Sequence, residues 1–78
     1  MKIHRILVET SGRVILNGAP IELAALKESL VALKGEDPET SVVVRGAADV
    51  DYQRVISVLD LLQQAEITKV GLATETGP

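Results

Sequence analysis

The chain has no cysteine, no tryptophan and no phenylalanine, and Tyr52 is its single aromatic residue. Without cysteine there is no disulfide to staple the fold, no thiolate nucleophile and no cysteine-ligated zinc. The lack says nothing of compartment, because an oxidising environment permits disulfides without requiring them. Sugars, bases and drug-like ligands are commonly held against aromatic faces, a means of recognition that is missing here. Basic residues are also scarce, eight against eleven acids for a net charge of -3, which argues against nucleic acid and its demand for a cationic stripe. No run of apolar residues exceeds four, reached at 23–26 and 30–33, where a bilayer span needs about 20.

What remains is aliphatic. Residues 1–78 suffice for one domain with a modest core of Val, Ile, Leu and Ala, and not for a second. A domain of this size buries only about 60–65% of its unfolded surface, so with disulfides unavailable a partner is expected to add stability. Met1-Lys2 leads straight into a strand pattern with no signal-peptide core, so residue 1 is expected to be a boundary rather than the natural terminus.

Segments 3–10 and 13–17 are rich in β-branched residues and flank Ser11-Gly12, a dipeptide suited to a tight hairpin turn. In the first strand His4, Ile6 and Val8 share one face, while Ile3, Arg5, Leu7 and Glu9 share the other. Asn17-Gly18 is a second turn signal. Leu23, Leu26, Leu30 and Leu33 recur at helical spacing and predict a first helix over 22–34, with Glu22 in place of a good N-cap and Gly35 as its C-cap. After an acidic loop, residues 41–45 carry three consecutive valines, the mark of a central strand covered on both faces or covered on one and paired into an interface on the other. Asp49 is expected to cap a second helix over 50–65, with Tyr52, Val55, Ile56, Leu59 and Leu62 as its apolar face. Residues 68–74 alternate as a half-buried strand, parallel to the valine strand across a right-handed helical crossover. The order is ββαβαβ, an α+β fold of two layers with a mixed sheet and two helices packed on one face. Residues 76–78 are expected to be an unstructured tail.

Reactive chemistry is thin. His4 is the one histidine and has no serine or aspartate at a spacing that suggests a triad, so it is read as a surface or edge-strand residue. Asp49 and Asp51 suit a helix N-terminus better than a metal, and Glu36, Asp37 and Glu39 lack the spacing and turning glycine of a calcium loop. Gly46-Ala47-Ala48-Asp49 has no second glycine or lysine, and Asp49 would repel a phosphate. Tyr52 is read as closing the helix–sheet interface, with a recognition hydroxyl as the alternative. No cofactor and no metal site are implied, and an enzyme is disfavoured.

Four segments together resemble the periplasmic domain of the ExbD/TolR family: Val42-Val43-Val44-Arg45, the run from Asp49 through Tyr52 to Val55, the helix end at 59–65, and Thr68-Lys69-Val70-Gly71-Leu72-Ala73-Thr74. The likeness covers nearly the whole chain. Departures from the family pattern are Ala47-Ala48 for an Asp-Lys type pair, Asp51 for proline, Gln53 for glycine, and Glu66 for the glycine that usually ends the second helix. The resemblance implies a non-enzymatic periplasmic module of a single-pass inner-membrane protein, whose proton-handling aspartate lies in a membrane helix outside this chain. It implies homodimerisation, a TonB- or TolA-like transducer as partner, an ExbB- or TolQ-like subunit reached through that helix, and contact with peptidoglycan. Strand addition at an exposed sheet edge is a mechanism consistent with these residues. The last strand is its expected seat, with Lys69, Val70, Leu72 and Thr74 in it and Arg45, Asp49 and Tyr52 bordering it. The competing reading is a small-molecule-binding regulatory αβ domain.

Overall fold

The computed structural model describes residues 3–74, and the tail expected at 76–78 lies outside them. Five strands and two helices follow in the order β1 (Ile3–Val8), β2 (Val14–Leu16), β3 (Ala19–Ile21), α1 (Leu23–Glu36), β4 (Ser41–Gly46), α2 (Tyr52–Gln64) and β5 (Lys69–Thr74). They form one mixed sheet of spatial order β3-β2-β1-β4-β5, antiparallel from β3 to β1 and parallel from β1 to β5. The expected α+β fold, with two helices on a mixed sheet, is the one observed. It gains a strand, β3, at the position read only as a turn and a helix approach.

That strand follows from the second turn. Asn17 and Gly18 both take positive φ, 51° and 87°, the combination that folds a two-residue hairpin. Asn17 also extends the β1–β2 ladder past its own turn: its backbone N–H donates to the Arg5 carbonyl at 2.8 Å, and its side-chain Oδ1 accepts from the Arg5 N–H at 2.9 Å. The first turn is one residue longer. Gly12 N–H donates to the Glu9 carbonyl and Glu9 N–H to the Arg13 carbonyl, both at 2.8 Å, with Gly12 at φ 92° taking the left-handed position that closes a three-residue loop.

Alternation along the strands separates the two faces. Ile6 and Val8 of β1, Val14 of β2, and Val42 and Val44 of β4 point to the helices and are buried with Leu26, Leu30, Val58, Leu62 and Ala65 in one core. Fully burying such an aliphatic side chain contributes roughly 1.5–3 kcal/mol, which is why an aromatic-poor chain of this length can fold. The other face stays open, with Leu7, Ile15 and Val43 half-buried between Arg5 and Arg45. The middle strand is β1 rather than the valine strand, which is interior between β1 and β5. His4 therefore lies off the sheet edge, half-buried, with its Nδ1 2.9 Å from the side-chain nitrogen of Asn17.

The helix ends differ from expectation. Glu22 is the N-cap residue of α1 but its side chain makes no capping bond, and the helix runs through Gly35 to Asp37, whose N–H donates to the Leu33 carbonyl. Asp51, not Asp49, caps α2, its carboxylate accepting from Gln53 N–H at 3.0 Å. Asp49 sits instead in the connecting loop at φ 62°. Two residues placed on the buried stripe of α2 are exposed, Tyr52 at 74% and Ile56 at 38%, while Val58 is fully buried in their stead. The glycine missing after α2 is replaced at a cost: Glu66 takes φ 62° so that Ile67 N–H can reach the Leu62 carbonyl and Glu66 N–H the Gln63 carbonyl.

Candidate functional site

The parallel pair β4–β5 sets the geometry of the expected interaction edge. Its register matches Ser41 with Lys69, Val42 with Val70, Val44 with Leu72, Arg45 with Ala73 and Gly46 with Thr74. Because matched residues share a face, Val70 and Leu72 lie on the helix side. Val70 is half-buried there, whereas Leu72 stands clear of the helices and is 64% exposed. β5 has six residues, no proline, and a strand neighbour on one side only. Such a strand leaves a row of backbone donors and acceptors for another chain.

Of the seven residues singled out in the sequence, Arg45, Lys69, Val70, Leu72 and Thr74 fall within the β4–β5 ladder. Lys69 opens β5 at the opposite end from Thr74, and its ammonium pairs with the Glu39 carboxylate. That hydrogen bond, and then the Lys69 charge, holds the Glu39 carboxyl below its ordinary 4.5. Glu39, read in the sequence only as part of an acidic loop because 30 residues separate the pair, thus tethers the start of β5 to the α1–β4 loop. Asp49 and Tyr52 lie outside the ladder, on the connection that leaves β4 beyond Gly46 and on the first turn of α2. The Tyr52 ring is on the solvent side, so it does not close the helix–sheet interface.

That connection is held firmly. Ala47 N–H donates to the Val8 carbonyl at 2.9 Å, Thr10 Oγ1 donates to the Ala48 carbonyl at 2.6 Å, and a Cβ at Gly46 would come within 3.0 Å of Val50 Cγ1. The corner that carries Asp49 is a rigid mount between β1 and α2.

The opposite border is built otherwise. β3 has three residues with Pro20 at its middle, opposite Ile15 of β2. Proline lacks an N–H, so it suits an edge and interrupts further pairing. An Asn-Gly dipeptide followed by Ala-Pro-Ile was the available signal for this short strand.

Among the described residues no group of three or more His, Cys, Asp or Glu side chains is placed to hold a metal. No helix among them is long and apolar enough to cross a membrane. Among the described residues, the one buried polar side chain without a hydrogen-bond partner is Thr40, 1% exposed, at the entry to β4.

The sequence is similar to those of known proteins. The family described as "Biopolymer transport protein ExbD/TolR" matches residues 1–77. The "Tol-Pal system protein TolR" of Pseudomonas aeruginosa is 33% identical over 55 residues, 70% of this chain and 38% of that protein. The chain therefore spans well under half the length of that relative.

Proposed function

Because the chain belongs to the ExbD/TolR family, we propose that it is the periplasmic interaction and dimerisation module of a proton-motive-force-driven complex of the ExbB-ExbD-TonB or TolQ-TolR-TolA type. In this reading it is not an enzyme. The whole protein adds a membrane helix that docks an ExbB- or TolQ-like subunit in the inner membrane. The domain takes up an extended segment of a TonB- or TolA-like transducer, with peptidoglycan as a further contact.

The observation that carries the reading is the asymmetry of the sheet: β5 is a six-residue edge free of proline, while β3 is short and interrupted. Added along β5, a transducer segment gains backbone hydrogen bonds, and Leu72 and Val70 offer alternate side-chain contacts on one face. Lys69, Arg45 and Thr74 mark the ends of that track, and Asp49 and Tyr52 the rigid corner beyond it. A second copy of the chain pairing through β5 occupies the same border, so dimerisation and transducer capture compete for it.

The test is an NMR titration of the chain with a synthetic peptide from a transducer periplasmic region. Shifts concentrated in β5 and β4, with slowed hydrogen exchange of β5 amides, are the expected result. Unchanged β5 amides at saturating peptide sink the proposal. The small-molecule reading has no comparable support, since the two arginines of the open sheet face border a shallow apolar hollow with no aromatic lining.

A further inference from the structure

We infer a second binding site at the opposite border of the sheet, in the cleft between the β1–β2 turn, β3 and the start of α1, whose ligand is a carboxylate-bearing peptide segment with an aliphatic neighbour. It does not depend on the β5 reading. The cleft has a volume of about 760 Å³ and draws its charge from Arg13 and Arg54, with Glu22 on its wall.

Arg54 is the centre of it. Its guanidinium lies against the β1–β2 turn, so close that a Cβ at Gly12 would stand 3.3 Å from Nε and Nη2. A side chain at position 12 would press on the half-buried arginine. Arg54 also lines a smaller hollow of about 310 Å³ together with Ser57 and Asp51. There the Asp51 carboxylate already accepts from Gln53 N–H. Among the described residues neither the Arg54 nor the Arg13 guanidinium has a hydrogen-bond or ion-pair partner. A half-buried guanidinium presents five donors in a planar fork, and an acceptor with two coplanar oxygens fits it best.

The surroundings choose among anions. Two arginines against one glutamate leave the cleft positive toward any anion, and it is the apolar flank beside them that favours a carboxylate carried on a peptide over a fully hydrated phosphate. Glu22 makes no capping bond, so its carboxylate is not engaged by the start of α1. Ile21 and Leu23, both half-buried, provide an apolar flank beside the charge. Pro20 interrupts the backbone of β3, so recognition here runs through a side chain rather than through strand addition.

The experiment uses the full chain at low ionic strength, where screening is weak. Amide shifts are followed on addition of acetyl-Leu-Glu-Leu-amide, its Gln counterpart, and inorganic phosphate. Saturable shifts at Gly12, Leu23 and Arg54 with the Glu peptide and none with the Gln peptide are expected. Arg54→Gln should weaken binding at least about ten-fold, Arg54→Lys less so because the charge stays and the fork is lost, and Glu22→Gln should tighten it about three-fold. Equal binding of the Gln peptide, tighter binding of phosphate than of the Glu peptide, or an unchanged Arg54→Gln overturns the inference. Should Arg54→Gln fail to fold, Glu22→Gln decides alone: binding unchanged or weaker overturns it.

Discussion

β3 and β5 are the two borders of one sheet, and they are built to opposite ends. β3 has three residues, a proline at its centre and a two-residue turn that ties it to β2. β5 has six, alternates regularly, and exposes Leu72 where the helices no longer cover it. The same tension governs both: an unpaired strand invites association, and a protein either blunts it or uses it. Here one border is blunted at the level of a single residue while the other is left receptive.

The comparison can be broken at its foundation by loosening α2, the crossover that delivers β5. Leu62→Ala, at a position 1% exposed, should cost about 2–5 kcal/mol in urea unfolding, and a loss under 1 kcal/mol means β5 does not depend on that packing. Gly46→Ala tests the corner between β4 and α2. Its methyl would meet Val50 at 3.0 Å, so a loss of about 1–3 kcal/mol is expected, and a neutral result shows that the corner yields. Thr40→Val should move the other way, stabilising by about 1 kcal/mol, because it removes a buried hydroxyl with no partner at the entry to β4. A destabilised variant would point to a water bound at that hydroxyl.

Two smaller effects sharpen the contrast of the borders. Pro20→Val should change stability by under about 0.5 kcal/mol, yet it returns an N–H to the guarded edge. Sedimentation should then show added self-association beyond the parent's, and an unaltered distribution removes Pro20 from the role of guard. At β5 the Lys69–Glu39 pair is exposed, 48% and 66%, so its effect is the smallest. Glu39 has a lowered folded-state value, so its contribution is present above the ordinary 4.5 and fades as pH falls through the lowered value. Parent and Glu39→Gln should therefore differ slightly at neutral pH and low salt and converge in acid; a gap that widens in acid reverses the sign.

Much of this was legible because the aliphatic pattern has one meaning. The shared face of Ile6 and Val8 and the leucine spacing of α1 were readable and are buried or half-buried, whereas the run of three valines did not tell that only Val42 and Val44 are fully buried and Val43 lies half-buried on the open face. The misreadings lie where local signals compete. Asp49 and Asp51 are equally good caps by type, and the choice fell to the residue whose φ allowed the Gln53 N–H to be reached. Tyr52 has the spacing of the apolar stripe but sits at the first turn, beyond the sheet it would have to cover. At the sites the difficulty is distance along the chain: Glu39 with Lys69, and Gly12 with Arg54, become neighbours only through the topology.

Pro20 has a consequence for the size any self-assembly can reach. A sheet that is receptive along one margin only cannot polymerise by lateral stacking: two copies meeting β5 to β5 about a two-fold axis exhaust every free margin, and a third finds none. On the proposed β5 pairing growth ends at the pair, and Pro20 is the residue that closes the other flank to fibres.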